Sequence, residues 1–395
     1  MIRSVRIFYA LLLAVLIGAL TIAAQPAAGQ AENPLVAPLQ GNATWARYAF
    51  DNTDTGFNPA ETQVNPFNVP TLILAWTFRA GGPVRSSPAV SNGMVYISAN
   101  DGFIYALNEA TGAVVWSRGI GTSGDDYEVT PTIADGMVFT GVETGTLYAL
   151  DPVSGATIWS AKPGGDFHVG SPLVANGMVY MSSLDNNLYA LDESNGRTVW
   201  VGRTAGEINH SPAIAGSMVY AGSLDGNLYA FDAFSGQVIW KSMTQGGVHN
   251  SPSVINGRVF AGGLDGFVHA WDALTGRVLW TKRTGGMIHC TPVYHNGMLF
   301  VGSEDGNLYA LNETTGSVRW TMRTGRFIHD TAAVANGVVY FGAWDRKVHA
   351  VDERTGRSLW TYTTRDNVES SPAVVNGQLL VGSDDSTLYA FRLRR

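Results

Sequence analysis

The chain has 395 residues, 14% of them charged, and a formal net charge of −7 at pH 7. An acidic chain without a basic stripe excludes nucleic acid as the natural partner. Cys290 is the only cysteine, which excludes an intramolecular disulfide and a Cys-x-x-Cys-His haem attachment site.

The first 31 residues have the pattern of an export signal. Arg3 and Arg6 precede an apolar run over residues 7–24, and small residues follow at the end of the segment. Because the apolar run approaches the length that spans a bilayer, an uncleaved membrane anchor is the alternative to a cleaved signal. We therefore expect a periplasmic or extracellular protein, attached to the membrane only if this segment is retained. Residues 32–71, rich in Pro, Asn and Gln, are predicted to form a linker and a lead-in segment that packs on the following domain.

From residue 72 onward a tryptophan returns at an almost fixed interval. The interval is 40 residues five times, 43 residues once and 41 residues once, and the tryptophans are Trp76, Trp116, Trp159, Trp200, Trp240, Trp280, Trp320 and Trp360. A fixed period of this size is typical of repeat architectures. The recurrence predicts a structural role, in which each tryptophan pins the outer strand of one repeat to the next repeat.

One repeat is clearest in residues 211–240. Two alternating apolar stretches flank Asp225-Gly226, a two-residue hairpin signal, and Ser235-Gly236 turns the chain into the stretch that ends at Trp240. An Asn-Gly pair, which suits turns that need positive φ, follows the first strand in six copies. Four antiparallel strands in 40 residues are typical of a propeller blade, because a lone four-stranded sheet buries both faces only by stacking around an axis.

The two ends of the chain complete the count of blades. The last copy, residues 371–391, supplies three strands and stops before its tryptophan, whereas residues 72–76 form a strand with no partner before it. Pairing the two fragments leaves no open sheet edge. We therefore predict an all-β fold, an eight-bladed β-propeller over residues 72–395. Each blade has four antiparallel strands, and an N-terminal strand closes the ring by joining the last blade.

The residues just before the innermost strands form the sharpest polar set. Equivalent positions of a ring surround its axis, so these side chains are predicted to line a funnel at the end where the innermost strands begin, here called the top. Two residues before the Ser or Thr that opens each strand, the copies carry Arg85, Glu128, Val169, Asn209, His249, His289, His329 and Glu369. Loops on this face are free to vary, and such loops are where function usually lies.

His249, His289 and His329 come from three consecutive blades at one repeat position. Neutral imidazoles that face one point, with Glu369 or Glu128 near them, are the ligands that a late first-row transition metal prefers. The alternative is a polar lining of a water-filled channel, in which the same side chains bond to water and to strand ends.

The unit Leu-Tyr-Ala-Leu-Asp-x-x-Thr-Gly-x-x-x-Trp resembles the pyrroloquinoline quinone (PQQ) repeat. Close versions stand at residues 147–159, 188–200, 228–240 and 308–320, and the resemblance covers residues 72–391. Proteins with this repeat include quinoprotein alcohol dehydrogenases and non-enzymatic members such as the outer-membrane assembly lipoprotein of the Bam complex. Trp45, Asn52 and Gly56, followed by residues 67–78, resemble the lead-in segment of the dehydrogenases.

The resemblance to the dehydrogenases implies PQQ with Ca²⁺ at the top of the axis. A quinone with three carboxylates needs guanidinium groups and an aromatic cover, and the matching positions are Arg85 and Trp344. Trp344 occupies a turn where other copies carry Leu184, Leu224 or Leu264. The Ca²⁺ ligands would be Glu128, Asn209 or Glu369. An external electron acceptor would be needed as well, because the chain carries no haem or iron-sulfur ligands.

The sequence departs from both groups at a defining feature. The adjacent cysteine pair that stacks on the quinone is impossible with Cys290 alone, and no cysteine follows the apolar run to carry a lipid. We therefore expect an exported binding or scaffold protein that engages a protein or another envelope component through its top-face funnel. A PQQ- or metal-dependent oxidoreductase is the alternative, so catalytic activity stays an open question at this point.

Overall fold

The structure is a computed structural model that describes residues 43–121 and 129–395. The predicted export signal, residues 1–31, and the predicted funnel residue Glu128 lie outside the described residues. One turn of 3₁₀ helix, Val69–Thr71, precedes the first strand. Within the described ranges, no helix has the length and apolar character needed to cross a membrane.

Eight four-stranded antiparallel sheets confirm the predicted eight-bladed propeller. We number the blades in chain order and letter the strands of each blade from A, nearest the axis, to D at the outside. Blades 1 to 7 are continuous in sequence, whereas blade 8 takes strands A to C from the C-terminal end and strand D from residues 72–79. Leu74 of that strand pairs with Phe391, and Phe78 pairs with Leu388.

The four strand positions have similar bounds in every blade. Strands A are Ala89–Ser91, Thr132–Ala134, Leu173–Ala175, Ala213–Ala215, Ser253–Ile255, Val293–His295, Ala333–Ala335 and Ala373–Val375. Strands B are Met94–Ala99, Met137–Gly141, Met178–Ser182, Met218–Gly222, Arg258–Gly262, Met298–Gly302, Val338–Ala343 and Gln378–Ser383. Strands C are Phe103–Asn108, Leu147–Leu150, Asn187–Asp192, Asn227–Asp232, Phe267–Asp272, Asn307–Asn312, Lys347–Asp352 and Thr387–Leu393. Strands D are Val114–Gly119, Thr157–Ala161, Thr198–Arg203, Val238–Met243, Val278–Arg283, Val318–Arg323, Ser358–Thr363 and, for blade 8, Leu72–Arg79.

Each periodic tryptophan bonds its blade to the next one, as its recurrence predicts. The indole Nε1 donates to a backbone oxygen of the following blade at 2.8–3.2 Å at all eight junctions. At seven of these junctions the indole ring also lies on the glycine of the strand C to D turn of the next blade, as Trp240 does on Gly276. A side chain at this glycine would collide with the ring, which explains the repeated Thr-Gly and Ser-Gly pairs.

Apolar side chains between adjacent blades form the core. Leu173 and Tyr180 of blade 3, for example, cluster with Val219 and Phe231 of blade 4, and all four are buried. Near the axis, hydroxyl groups join the blades at five junctions, where the backbone N–H of the Ser or Thr that precedes strand A donates to the hydroxyl of its counterpart in the next blade. Ser87 N to Thr130 Oγ1 at 2.9 Å is one of these bonds.

The segment before the propeller, residues 45–58, circles the bottom of the ring, and we call it the N-terminal belt. Trp45 exchanges two backbone hydrogen bonds with Val90 of blade 1, and Asn58 bonds to blades 7 and 8. In every blade the belt bonds to the middle residue of strand A, namely Val90, Ile133, Val174, Ile214, Val254, Tyr294, Val334 and Val374. A single short segment therefore fastens all eight blades from below.

A buried ion pair holds the belt in shape. Arg47 Nη1 lies 2.6 Å from Asp54 Oδ1, and the two side chains are 2% and 0% exposed. Burial raises the pKa of Asp54, and the Arg47 guanidinium opposes that change. Because a buried charge without its partner costs about 3–5 kcal/mol, the two side chains depend on each other.

Candidate functional site

A polar cavity of about 240 Å³ lies on the axis, where strands A begin. The described residues that line it are Tyr48, Arg85, Ser87, Thr130, His168, Val169, His210, His249, His289, His329, Asp330 and Glu369. Tyr48 reaches it from the N-terminal belt, and its hydroxyl lies 2.6 Å from Thr331 Oγ1 and 3.2 Å from Thr291 Oγ1. The cavity is therefore a funnel closed from below by Tyr48 and the belt.

Five of the eight histidines line one side of this funnel, in an arc that crosses blades 3 to 7. The ring centroids are 4.8 Å apart for His210 and His249, 5.0 Å for His249 and His289, and 4.6 Å for His289 and His329. The structure thus brings His249, His289 and His329 side by side, because they occupy one repeat position in consecutive blades. The fifth histidine, His168, precedes blade 3.

Hydrogen bonds link Asn209, His249 and His289 of this side in a directed chain. Asn209 Nδ2 donates to His249 Nε2 at 3.2 Å, so the remaining proton of neutral His249 is on Nδ1. That proton faces His289 Nδ1 at 3.1 Å, which places the proton of neutral His289 on Nε2. Asn209 therefore lies beside the histidines. The orientation of its amide and the tautomers of His249 and His289 depend on one another.

Glu304 lies next to this chain, at the mouth of the funnel, between His289 and His329. Its Oε1 accepts a hydrogen bond from His329 Nε2 at 3.0 Å and lies 3.3 Å from His289 Nε2. The second contact has an ion-pair distance without hydrogen-bond geometry, so the buried His289 Nε2 has no hydrogen-bond partner among the described residues. One nitrogen from each imidazole and one oxygen of Glu304 lie within 4.8 Å of one another.

Burial keeps four histidines of the arc, His210, His249, His289 and His329, uncharged at neutral pH. Burial and the neighbouring His329 and His249 together lower the pKa of His289 to about 4, and Glu304 opposes the change. Burial also lowers the pKa of His249 and His329, and it lowers the pKa of His210 well below its ordinary value. Neutral imidazoles offer lone pairs, which protonated ones do not.

The opposite side of the funnel is an ion-pair cluster centred on Arg85. Arg85 Nε lies 2.8 Å from Asp384 Oδ1 and 3.1 Å from Glu369 Oε2. Glu369 and Asp384 both belong to the blade 8 region, one before strand A and the other in the turn between strands B and C. The predicted residues Arg85 and Glu369 are therefore brought together, and Asn209 lies half a ring away beside the histidines.

Blade 7 differs from its sister blades at the top face. Trp344 packs against His329 at 4.7 Å and against Phe327 at 5.2 Å between ring centroids. Two positions later, Arg346 has φ +63°, a left-handed conformation that glycine holds in three sister turns, at Gly226, Gly266 and Gly306, and that Asn186 and Ser386 hold in two others. Trp344, predicted as an aromatic cover, is thus a wall of the histidine side of the funnel mouth.

Two site residues, Glu304 and Asp384, were not identified by sequence analysis. Both lie in the turn between strands B and C, at the position where three blades carry leucine and blade 7 carries Trp344. The sequence signal that could have identified them is a carboxylate at a turn position where three other blades carry an apolar residue, Leu184, Leu224 or Leu264. This turn position lies at the funnel mouth, as Trp344, the other exception to leucine, already indicated.

PQQ, which the dehydrogenase resemblance implies, does not fit this funnel. Arg85 is occupied by Glu369 and Asp384, and the described lining contains no second arginine or lysine. The same lining includes the carboxyl groups of Asp330 and Glu369, which would repel a quinone carrying three carboxylates. Asn209 is bonded to His249 and Glu369 is paired with Arg85, so the two side chains do not form one Ca²⁺ site in this arrangement.

The comparisons with known proteins place the chain among PQQ-repeat propellers. The family model described as outer membrane protein assembly factor BamB matches residues 71–126, 101–245, 203–287, 225–327 and 324–394. No curated protein matches the chain.

Solved structures with this fold differ widely in function. BamB from Moraxella catarrhalis is 19% identical with a TM-score of 0.68, and the match covers 81% of this chain and 99% of that chain. Quinohemoprotein alcohol dehydrogenase from Comamonas testosteroni is 16% identical with a TM-score of 0.74, covering 88% and 80%. The computationally designed Ika8 protein is 18% identical with a TM-score of 0.72, covering 80% and 98%. At these identities the likeness is one of fold alone, and the fold does not choose between functions.

Proposed function

The chain belongs to the family of PQQ-repeat propellers that is described as outer membrane protein assembly factor BamB. We propose that this chain is an exported binding scaffold. Its partner is an envelope or extracellular protein that presents an acidic segment to the top face of blade 7. The observation that carries this proposal is the exchange of a leucine and a glycine of sister turns for Trp344 and Arg346.

This exchange creates a basic and aromatic surface, which we call the blade 7 patch and define as Arg326, Phe327, Trp344, Arg346 and Arg365. Backbone hydrogen bonds hold its three chain segments together, from Trp344 N to Phe327 O at 3.0 Å and from Thr364 N to Arg346 O at 2.9 Å. The three arginines are exposed, and Phe327 is 39% exposed. Exposed guanidinium groups beside aromatic rings favour a partner that offers carboxylates and apolar contacts.

The backbone conformation of Arg346 belongs to the repeat, because Asn186 and Ser386 have φ values of +70° and +69° at the same turn position of blades 3 and 8. The side chains of Trp344 and Arg346 therefore distinguish blade 7. Trp344 contributes its aromatic ring to the patch, because its Nε1 is buried.

The quinone-dependent alternative is less well supported by the geometry. Its first requirement is a guanidinium group free to bind the quinone, and Arg85 is bonded to two carboxylates of blade 8. The binding-scaffold proposal requires neither cofactor nor electron acceptor. It needs an exposed top face on a rigid ring, which the described fold supplies.

Photo-crosslinking from the blade 7 patch tests the proposal. p-Benzoylphenylalanine replaces Phe327 in the exporting cell, and the same probe replaces Glu207, the corresponding position before blade 4, as a control. We expect a discrete crosslinked protein from position 327 alone. After its identification by mass spectrometry, the purified partner is titrated with wild type and with the triple variant Arg326→Gln, Arg346→Gly, Arg365→Gln.

The triple variant should bind about tenfold more weakly, because each exposed charge contributes a fraction of a kcal/mol. The loss should shrink as salt is raised. A control that removes Lys162, Arg203 and Lys241 from blades 2 to 4 should bind like wild type. Equal binding by both triple variants, or crosslinking from position 207 alone, would contradict the proposed surface.

A further inference from the structure

We propose that His289, Glu304 and His329 bind one divalent transition-metal ion, with zinc as the best match, at the mouth of the funnel. The ion would have three protein ligands and one coordination position open to the axial cavity. This site is independent of the blade 7 patch, although His329 and Trp344 are neighbours. It also differs from the histidine triad predicted from sequence, since Glu304 rather than His249 completes the group.

The distances between donor atoms match a tetrahedral site. With metal-ligand bonds of about 2.0–2.1 Å, two ligands of a tetrahedral zinc ion are about 3.3 Å apart. Glu304 Oε1 lies 3.0 Å from His329 Nε2 and 3.3 Å from His289 Nε2, and the three atoms lie within 4.8 Å of one another. An ion can therefore enter between them with small side-chain rotations and no change of the backbone.

The chemistry of the ligands selects the same class of ion. Two imidazole nitrogens and one carboxylate oxygen suit zinc, copper or nickel, and they suit calcium and magnesium poorly because those ions prefer oxygen ligands. Zinc sites with three protein ligands keep a fourth position for water or another small ligand. In this chain that fourth position would face a cavity of about 240 Å³.

His289 contributes a polar atom that the described residues leave without a hydrogen-bond partner. Its Nε2 is buried without a hydrogen-bond partner among the described residues, although a carboxylate oxygen is 3.3 Å away. A metal ion would occupy that gap and would also neutralise Glu304.

Metal binding would reverse the hydrogen-bond chain behind His289. A metal on Nε2 requires the proton of His289 on Nδ1, from where it donates to His249 Nδ1 across the 3.1 Å contact. His249 then carries its proton on Nε2, and Asn209 must turn its amide so that Oδ1 accepts it. Asn209 Oδ1 is buried without a partner in the described structure, so this rotation supplies the bond that it lacks. Asn209 and His249 are therefore positioning residues for the metal ligand.

The repeat shows that the fold does not require Glu304. Blades 3, 4 and 5 carry Leu184, Leu224 and Leu264 at the same turn position, and their turns keep the same backbone bond. Leu264 N donates to Gly247 O at 2.9 Å, and Glu304 N donates to Met287 O at 3.0 Å. A carboxylate at this position in blade 6, between two histidines, is better explained by a ligand than by folding.

Cobalt and zinc titrations of the full chain test this site. Protein dialysed against a chelator and then against buffer is titrated with Co²⁺, whose tetrahedral complexes absorb visible light strongly, and bound Co²⁺ is then displaced with Zn²⁺. We expect one equivalent of Co²⁺ with tetrahedral absorption and stoichiometric displacement. Glu304→Leu, the residue of the sister blades, should keep the fold by circular dichroism and lose this absorption.

Two further variants separate ligation from general effects of the funnel. His168→Gln, which changes a funnel histidine outside the proposed group, should bind Co²⁺ like wild type. Asn209→Leu should retain the stoichiometry and weaken affinity by about 10–100-fold, as expected for a residue that orients a ligand. Absence of saturable binding by wild type, or unchanged binding by folded Glu304→Leu, would overturn the proposal.

Discussion

The indole nitrogen of Trp360 donates a hydrogen bond to the backbone oxygen of Leu72 at 3.2 Å. This bond joins blade 7 to the N-terminal strand of blade 8, and its counterpart is present at each of the other seven junctions. The junction between blades 7 and 8, which joins residues far apart in sequence, thus uses the same indole hydrogen bond as the other junctions. Ring closure and the N-terminal belt are nevertheless separate features, because residues 45–58 bind from below and residues 72–79 complete a sheet.

Three N-terminal truncations should separate these two contributions. Removal of residues 1–40 leaves the belt and strand D of blade 8 intact, so thermal stability should not change. Removal of residues 1–59 takes away the bonds to all eight strands A and should lower stability. Removal of residues 1–80 also exposes the edge of blade 8 and should lower it further, by several kcal/mol in total. Thermal and denaturant melts measure the order, and equal stability of the last two variants would show that closure contributes little.

A second prediction concerns a carboxyl pair between blades 2 and 3. In three other places the Asn of the strand A to B turn donates to a Glu of the next blade, as Asn256 does to Glu313 at 3.3 Å. Blade 2 carries Asp135 instead, facing Glu193. Burial, together with the hydrogen bond and charge of Asp135, raises the pKa of Glu193 to about 7. Asp135→Asn should restore the amide bond and stabilise the protein at pH 8 by about 1 kcal/mol.

The pH dependence follows from the direction of that pKa change. A carboxyl group whose folded pKa is raised destabilises the fold where it is ionised, above pH 7, and this penalty disappears as the pH falls toward 5. The gain from Asp135→Asn should therefore be larger at pH 8 than at pH 5 in urea melts. Glu193→Gln, which leaves the turn unchanged, should lose the same pH dependence. An equal gain at both pH values would mean that only the backbone preference of the turn had changed.

The fold was predictable because its determinants repeat. Trp76 and its seven counterparts, together with pairs such as Asn92-Gly93, mark the same turn and the same junction in every blade. Repetition also predicted that His249, His289 and His329 are neighbours. Glu304 and Asp384 were accessible by the same reasoning, since each breaks a register that sister blades fill with leucine.

The N-terminal belt was less predictable because it has no period. Its bonds to the eight strands A run mostly through backbone atoms, which leave no pattern in the sequence. Tyr48 illustrates this limit: its hydroxyl closes the funnel through Thr291 and Thr331, more than 240 residues later in the chain. The orientation of each imidazole, and therefore the partner of His289 Nε2, likewise depends on side-chain packing that repeat position does not specify.

A third prediction compares two glycines that share a backbone conformation. Gly276 and Gly257 have φ values of +68° and +72°, but an added Cβ lies 2.5 Å from the ring of Trp240 at Gly276 and has no neighbour within 4 Å at Gly257. Gly257→Ala should therefore cost about 1 kcal/mol, the conformational cost alone. Gly276→Ala should cost about 1–3 kcal/mol more, because Trp240 must move from its place on the next blade. Denaturant melts compare the two, and equal costs would show that the tryptophan accommodates a methyl group freely.

A fourth prediction moves the proposed metal site by one blade. Leu264 occupies in blade 5 the position of Glu304 in blade 6, and it lies between His249 and His289 as Glu304 lies between His289 and His329. In a Glu304→Leu background, Leu264→Glu should therefore restore one equivalent of Co²⁺ with tetrahedral absorption. Affinity should be below that of wild type, because His249 must give up its bonds to Asn209 and His289 before it can rotate toward the new carboxylate.

The control is the double variant Leu264→Gln, Glu304→Leu, whose side chain at position 264 has nearly the same shape as glutamate but no charge. This control should bind no Co²⁺. Absorption by that control equal to the restored signal would mean that the histidine arc binds the ion without a carboxylate, and the assignment of Glu304 as a ligand would have to be abandoned.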